Sequence, residues 1–297
     1  MPKLSAIAAD LKKAIDDKDE VQIAFIASEY SADSRQRIAQ AYRETYGKEA
    51  CDDVKKALKG GSEEDLLMDL WRDRHVVRAE IIKDALKGKN DIMALFDTVI
   101  LCTPEDWHET CREYTQKQGK TLIDDFVSDV GTKDPMGRLF AKWMEHKRES
   151  RGRGADEEAQ LLKKAFDDKD VDYLVDFFAT IPHTEYKDIA TAFKAASGQS
   201  IDQALAKLFV KNDYYTFYCC HFALLGLHKL AAYLINCAVS DKGDEKRMRR
   251  ITGLMVDQCL AAKYAYKAFG DMGADFSRVF DKRMAPILRT LWRVNKD

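Results

Sequence analysis

Four short turns hold the residues of this chain best suited to chemistry. Two are acidic and alike, Asp16-Asp17-Lys18-Asp19 and Asp167-Asp168-Lys169-Asp170. Two carry glycine, Leu86-Lys87-Gly88-Lys89-Asn90-Asp91 and Val239-Ser240-Asp241-Lys242-Gly243-Asp244. Carboxylate and carbonyl oxygens are hard donors, and glycine lets main-chain oxygens turn towards one point where a Cβ would obstruct. Such turns could hold a divalent cation by coordination alone, with no covalent step. An EF-hand is excluded, because the acidic run beginning at Asp16 has no Gly at its sixth position and no Glu at its twelfth. Without an ion, the same run is a solvated acidic turn.

A repeat positions these turns. The stretches Leu11 to Asp19 and Leu162 to Asp170 agree at eight of nine positions, 151 residues apart. Weaker copies run from Ile82 to Asp91 and from Ile235 to Asp244. Their anchoring alanines, Ala14, Ala85, Ala165 and Ala238, stand 71, 80 and 73 residues apart. The chain therefore reads as all-α, with four tandem repeats of about 70 residues and about five short helices in each. The expected boundaries are 1–74, 75–146, a polar Gly-containing linker at 147–154, then 155–226 and 227–297. Local signals agree with this division. Ser31 and Thr103-Pro104 mark helix starts, Gly47 marks a helix end, and Ser62 with Asp65 forms a looser capping arrangement. The segment after Glu20, VQIAFIAS, is apolar nearly all round and is expected to be buried.

With 46% hydrophobic and 33% charged residues over 297 positions, the core is ample. A net charge of −2 gives the whole chain no electrostatic attraction to nucleic acid or to an anionic membrane, so either would need a local patch or a bridging cation. Seven irregularly spaced cysteines suit free thiols in a reducing compartment, and no apolar run is long enough for a signal peptide or a membrane span. A cytoplasmic protein is expected.

Four such repeats, each with a loop between its first two helices, resemble the annexins. The segments LKKAIDDKDEVQIAFIASEYSADSRQRIAQAY and ALKGKND followed by FDTVILCTPEDW are similar to the alpha-giardins within that superfamily. The resemblance implies calcium as cofactor and calcium-dependent binding to acidic phospholipid membranes. It also implies a peripheral position at the plasma membrane, a link to cytoskeletal protein, and no enzymatic activity. Its loop pattern, an apolar residue and Lys-Gly-x-Gly-Thr followed about forty residues later by an acid, transfers unevenly. The second loop comes closest. Leu86, Gly88 and Asn90 form the turn there, Asn standing in for a second left-handed Gly, and Asp129 takes the acid position. The fourth follows with Val239, Asp241, Gly243 and Asp281, although a shift of one residue would put Phe280 in the place of the acid. Ala57 and Leu208 stand there in the first and third repeats, whose family-type sites are expected to be lost. Asp19, Glu20, Gly61 and Glu64 remain as a weaker ion site.

The rival reading rests on two basic clusters, Lys147, Arg148, Arg151, Arg153 and Lys246, Arg247, Arg249, Arg250. These could bind a sulfated glycan, a phosphoinositide or a cytoskeletal protein without calcium. Cys219-Cys220-His221 lies in an apolar helix with no second ligand cluster and is expected to be core. Trp71, Trp143 and Trp292 recur late in the repeats and are also expected to pack. No phosphate-binding glycine loop, Gly-x-Ser-x-Gly or His-Glu-x-x-His is present.

Overall fold

Apolar residues at helical spacing, punctuated by Asp, Ser, Thr and Gly caps, divide the chain into helices throughout. The computed structural model describes residues 3–58, 60–240 and 242–294, and no strand occurs among them. Among the described residues twenty α-helices fall into four sets of five. The first set is α1 Leu4–Asp16, α2 Glu20–Ser28, α3 Ala32–Tyr46, α4 Ala50–Ala57 and α5 Ser62–Asp69. The second is α6 Arg74–Ala85, α7 Ile92–Ile100, α8 Pro104–Gln118, α9 Leu122–Asp129 and α10 Pro135–Trp143. The third is α11 Ala155–Asp168, α12 Val171–Thr180, α13 His183–Ser197, α14 Ile201–Leu208 and α15 Lys211–Leu225. The fourth is α16 Leu227–Ala238, α17 Glu245–Met255, α18 Cys259–Tyr266, α19 Met272–Val279 and α20 Met284–Leu291.

The helices gather into two compact units, Met1–Ile81 with Ala231–Asp297, and Ile82–Leu230. In the first unit α1 lies along α3, α2 packs on α20, and α17 packs on α5. In the second, α11 lies along α13, and α10 packs on α12 and α15. The buried face of α1 is Ile7, Ala8, Leu11, Ala14 and Ile15, the stripe its spacing predicts. Trp71, Trp143 and Trp292 are all buried, and so is the Cys219-Cys220-His221 run, whose imidazole Nδ1 lies 2.6 Å from the Tyr186 hydroxyl. None of the seven cysteines forms a disulfide.

Two local expectations are corrected. α2 buries Ile23, Ala24, Ile26 and Ala27, but Val21 and Phe25 face solvent, so one side of this apolar helix is open. Gly61, at φ 108°, is the N-cap of α5, and Ser62 is its first helical residue, with its hydroxyl given to Glu245 at 3.1 Å. The 147–154 segment is tied to the end of α12 and the residue after it. Glu149 N–H donates to the Thr180 carbonyl at 3.1 Å, and Arg148 donates to the carbonyls of Ile181 and Phe178 at 2.9 and 3.3 Å.

A recurring pair ties the third helix of a repeat to the fourth. The hydroxyls of Tyr42, Tyr114 and Tyr266 donate to Asp53, Asp125 and Asp275 at 2.8, 2.9 and 2.8 Å. Burial and the adjacent carboxylate raise all three tyrosine pKa values. In the third repeat, buried Phe193 and Ala204 occupy the corresponding places, an apolar substitute that needs no partner.

Candidate metal centre

Each turn is built on one frame. The N–H of its last aspartate donates to the carbonyl of the anchoring alanine: Asp19 to Ala14 at 2.9 Å, Asp91 to Ala85 at 2.8 Å, Asp170 to Ala165 at 2.8 Å and Asp244 to Ala238 at 2.7 Å. The same aspartate then caps the following helix. Its Oδ1 accepts from the N–H of Gln22, Ala94, Tyr173 and Arg247 respectively, at 2.9 to 3.0 Å. The repeated aspartates are therefore first of all helix caps, which accounts for their recurrence without an ion.

Within this frame the loops differ in length and in backbone hand. Residues 15–18 and 166–169 bridge alanine and aspartate in the first and third repeats, and 86–90 and 239–243 do so in the second and fourth, one residue longer. The shorter loops turn through Lys18 and Lys169, both at φ 56°. This conformation disfavours a side chain by about 1–2 kcal/mol. The longer loops turn through Gly88 and Gly243, at φ 74° and 79°. Asn90 is not left-handed, which corrects its expected role. Its Nδ2 donates to the Asp129 carbonyl at 3.0 Å and so ties the loop to the end of α9.

The second loop is the one left open. Lys87, Gly88 and Lys89 are exposed, and the main-chain oxygens of residues 86–90 accept no hydrogen bond among the described residues. In each of the other loops an internal bond takes at least one such oxygen, at Ile15, Phe166 or Ser240. The Asp129 carboxylate is exposed and has no hydrogen bond or ion pair among the described residues. Free main-chain oxygens in a loop tied to the helix end that carries a free carboxylate suit a hard cation.

The fourth loop is arranged differently. Asp241 lies outside the described residues. A Cβ on Gly243 would come within 2.3 Å of Val279 Cγ1, so glycine is needed there for close packing as well as for its backbone. Val279 ends α19 as Asp129 ends α9. Asp281 lies beyond that point and is engaged as a cap. Its Oδ1 accepts from the N–H of Met284 at 2.8 Å and of Arg283 at 2.9 Å, and the Met284 bond above all holds its pKa below the usual carboxylate range.

In the first repeat an arginine already supplies the positive charge. Arg283 donates through Nη2 to Glu20 Oε1 at 2.5 Å and through Nη1 to the Gly60 carbonyl at 3.4 Å, and its Nη1 lies 3.9 Å from Glu63. Glu64 accepts from Gly60 N–H at 2.6 Å, and Asp19 caps α2. The set Asp19, Glu20, Gly61 and Glu64 is thus internally satisfied. Nothing in local spacing marks Arg283, which is 263 positions from Glu20.

The two basic runs are largely neutralised. Arg151 pairs with Glu158 and Asp176, Arg153 with Glu157 and Glu158, and Lys147 with Glu145. Arg148 lies over the Trp143 ring at 4.1 Å, and burial pushes its pKa down to about 10. Arg249 clamps Asp65 and Asp69, Arg247 is buried, and Arg250 also has a partner. Only Lys246 of the second run stands exposed. These runs hold helices together and present little open charge.

Comparison with known proteins agrees with this architecture. The annexin family model matches residues 6–69, and a model of the fourth repeat of annexin E1 matches residues 231–293. Giardin subunit alpha-1 of Giardia intestinalis is 67% identical over 294 residues, covering 99% of this chain and 100% of the relative. The chain is an annexin of the alpha-giardin group. Giardin subunit alpha-2 of the same organism is 66% identical over the whole of both chains. Among solved structures, calcium-bound alpha-1 giardin superposes with a TM-score of 0.97 over 99% of this chain and 100% of that one, at 67% identity. Annexin III, at 21% identity, covers 98% of this chain and 94% of its own with a TM-score of 0.83, which places this alpha-giardin in the annexin fold.

Proposed function

We propose that this alpha-giardin binds calcium at its second loop and uses the ion to bridge to acidic phospholipid at the cytoplasmic face of the plasma membrane. Main-chain oxygens of the turn that includes Leu86, Gly88 and Asn90, with the Asp129 carboxylate, would hold the ion. A lipid phosphate would take positions the protein leaves open. The observation that carries this reading is the coincidence of free carbonyls at 86–90 with a free carboxylate at Asp129. The net charge of −2 adds to it, since a negative chain and a negative leaflet need a cation between them. The solved alpha-1 giardin is itself calcium-bound, which supports the same ion in this chain.

The proposal has two further parts. One is attachment to cytoskeletal protein. The other is the division into repeats at 1–74, 75–146, 155–226 and 227–297, each holding one of the sets of five helices, with Arg74 at the first boundary already in α6. Co-sedimentation with vesicles tests the central claim. Pelleting is expected with phosphatidylserine and calcium, and not with phosphatidylcholine or with chelator. Equal pelleting on phosphatidylserine with and without calcium at physiological salt would transfer the binding to basic side chains.

A further inference from the structure

A cluster of positive charge open to a ligand stands at a place that no basic run in the sequence marks. A cleft of about 950 Å3 in the first unit is lined by Lys263 of α18, Lys267 just after it, Arg278 of α19 and Arg289 of α20. These four cations face one lining carboxylate, Asp271, whose Oδ1 is already engaged in capping α19 through Ala274 N–H at 2.8 Å. Lys263, Lys267 and Arg289 have no carboxylate partner among the described residues. Lys263 donates to the Arg293 carbonyl at 2.8 Å, Lys267 lies 5.4 Å from the Tyr264 ring centroid, and Arg289 Nη1 donates to Ser277 at 3.3 Å. Arg278 gives Nη2 to Asp275 at 2.9 Å, and the other oxygen of that carboxylate accepts from Tyr266. Its remaining guanidinium donors stay available.

Like charges converging on a concave surface focus a positive potential, even on a chain whose net charge is −2. The volume lies at the upper end of the range for small-molecule sites and far exceeds what one phosphate would fill. Several cations at separated points suit several anionic groups on one compact ligand, and planar guanidinium groups match phosphate oxygens in pairs.

We propose that this cleft binds a polyphosphorylated small polyol, either free inositol polyphosphate or the headgroup of a phosphoinositide, without calcium. The site is separate from the second loop, and the two are distinguished by chelator. The probes are inositol 1,4,5-trisphosphate in calorimetry, and vesicles carrying phosphatidylinositol 4,5-bisphosphate in co-sedimentation, both with chelator present. Saturable binding is expected, weakened about fivefold by each of Lys267→Gln and Arg289→Gln and unchanged by Lys246→Gln. Lys267→Gln removes no hydrogen bond found in the fold, so it remains informative if Arg289→Gln is unstable. Binding of the soluble probe alone assigns a free ligand, whereas Lys267-dependent pelleting of the vesicles assigns a lipid headgroup. The proposal is overturned if neither probe binds, or if both bind equally well to the Lys267→Gln and Lys246→Gln variants.

Discussion

Asp129→Ala separates a ligand from a structural acid, because its two effects should have opposite signs. With an exposed carboxylate near bulk dielectric, contact between a divalent ion and one unit charge at calcium–oxygen distance contributes about 3 kcal/mol. Dehydration and salt remove about half of that, leaving a loss of about tenfold in calcium affinity. Without calcium the substitution should stabilise the protein. Asp129 is the last residue of α9, where a negative charge opposes the helix dipole by about 0.3–1 kcal/mol, and its carboxylate has no partner to lose among the described residues. The Asn90 bond goes to its main-chain carbonyl and survives the change. Calorimetry with calcium should therefore show the weakened site, and thermal unfolding in chelator should show Tm higher by about 1–2 °C. Unchanged affinity would remove Asp129 from the site. A lower Tm in chelator would mean that its carboxylate has a structural role.

Arg283→Ala should lower Tm, with a cost of about 1–3 kcal/mol, because Glu20 and Glu63 lose the cation that holds them, and added calcium should restore part of it. A Tm that calcium leaves unchanged would show that these acids do not form a cation site when freed. Asp257→Ala leaves the 3%-exposed Arg35 guanidinium with only the carbonyls of Leu70, Ala27 and Tyr30, and urea unfolding should register a loss of about 2–4 kcal/mol. A loss below about 0.5 kcal/mol, the scale of a surface substitution, would contradict the burial argument. Burial depresses the His221 pKa to about 4, so between that value and the ordinary 6.5 the unfolded chain takes up a proton that the folded chain refuses. Stability should be unaffected by this group above pH 6.5, fall by up to about 3 kcal/mol as pH drops towards 4, and level off below. A His221→Gln variant with the same slope in that window would assign the pH dependence to other groups.

The amino-acid sequence by itself determined the all-α class, the four repeats, the anchoring alanines and most helix ends. These depend on apolar spacing over a few turns and on caps within three or four residues, so Leu11, Ala14 and Asp19 carry their meaning locally. It also singled out the second loop, because Gly88 and the acid at Asp129 are visible as residue types. Only the tertiary structure decided which acids remain free. Asp281 caps α20, Glu20 is taken by an arginine from the far end of the chain, and Asp129 alone among these three is left without a partner. It likewise dispersed the basic runs into ion pairs and assembled a basic cleft from residues on three different helices and the turn after one of them. The physical reason is the same in each case. Whether a charge is open to a ligand depends on what packs against it, and those neighbours come from parts of the chain that only folding brings together.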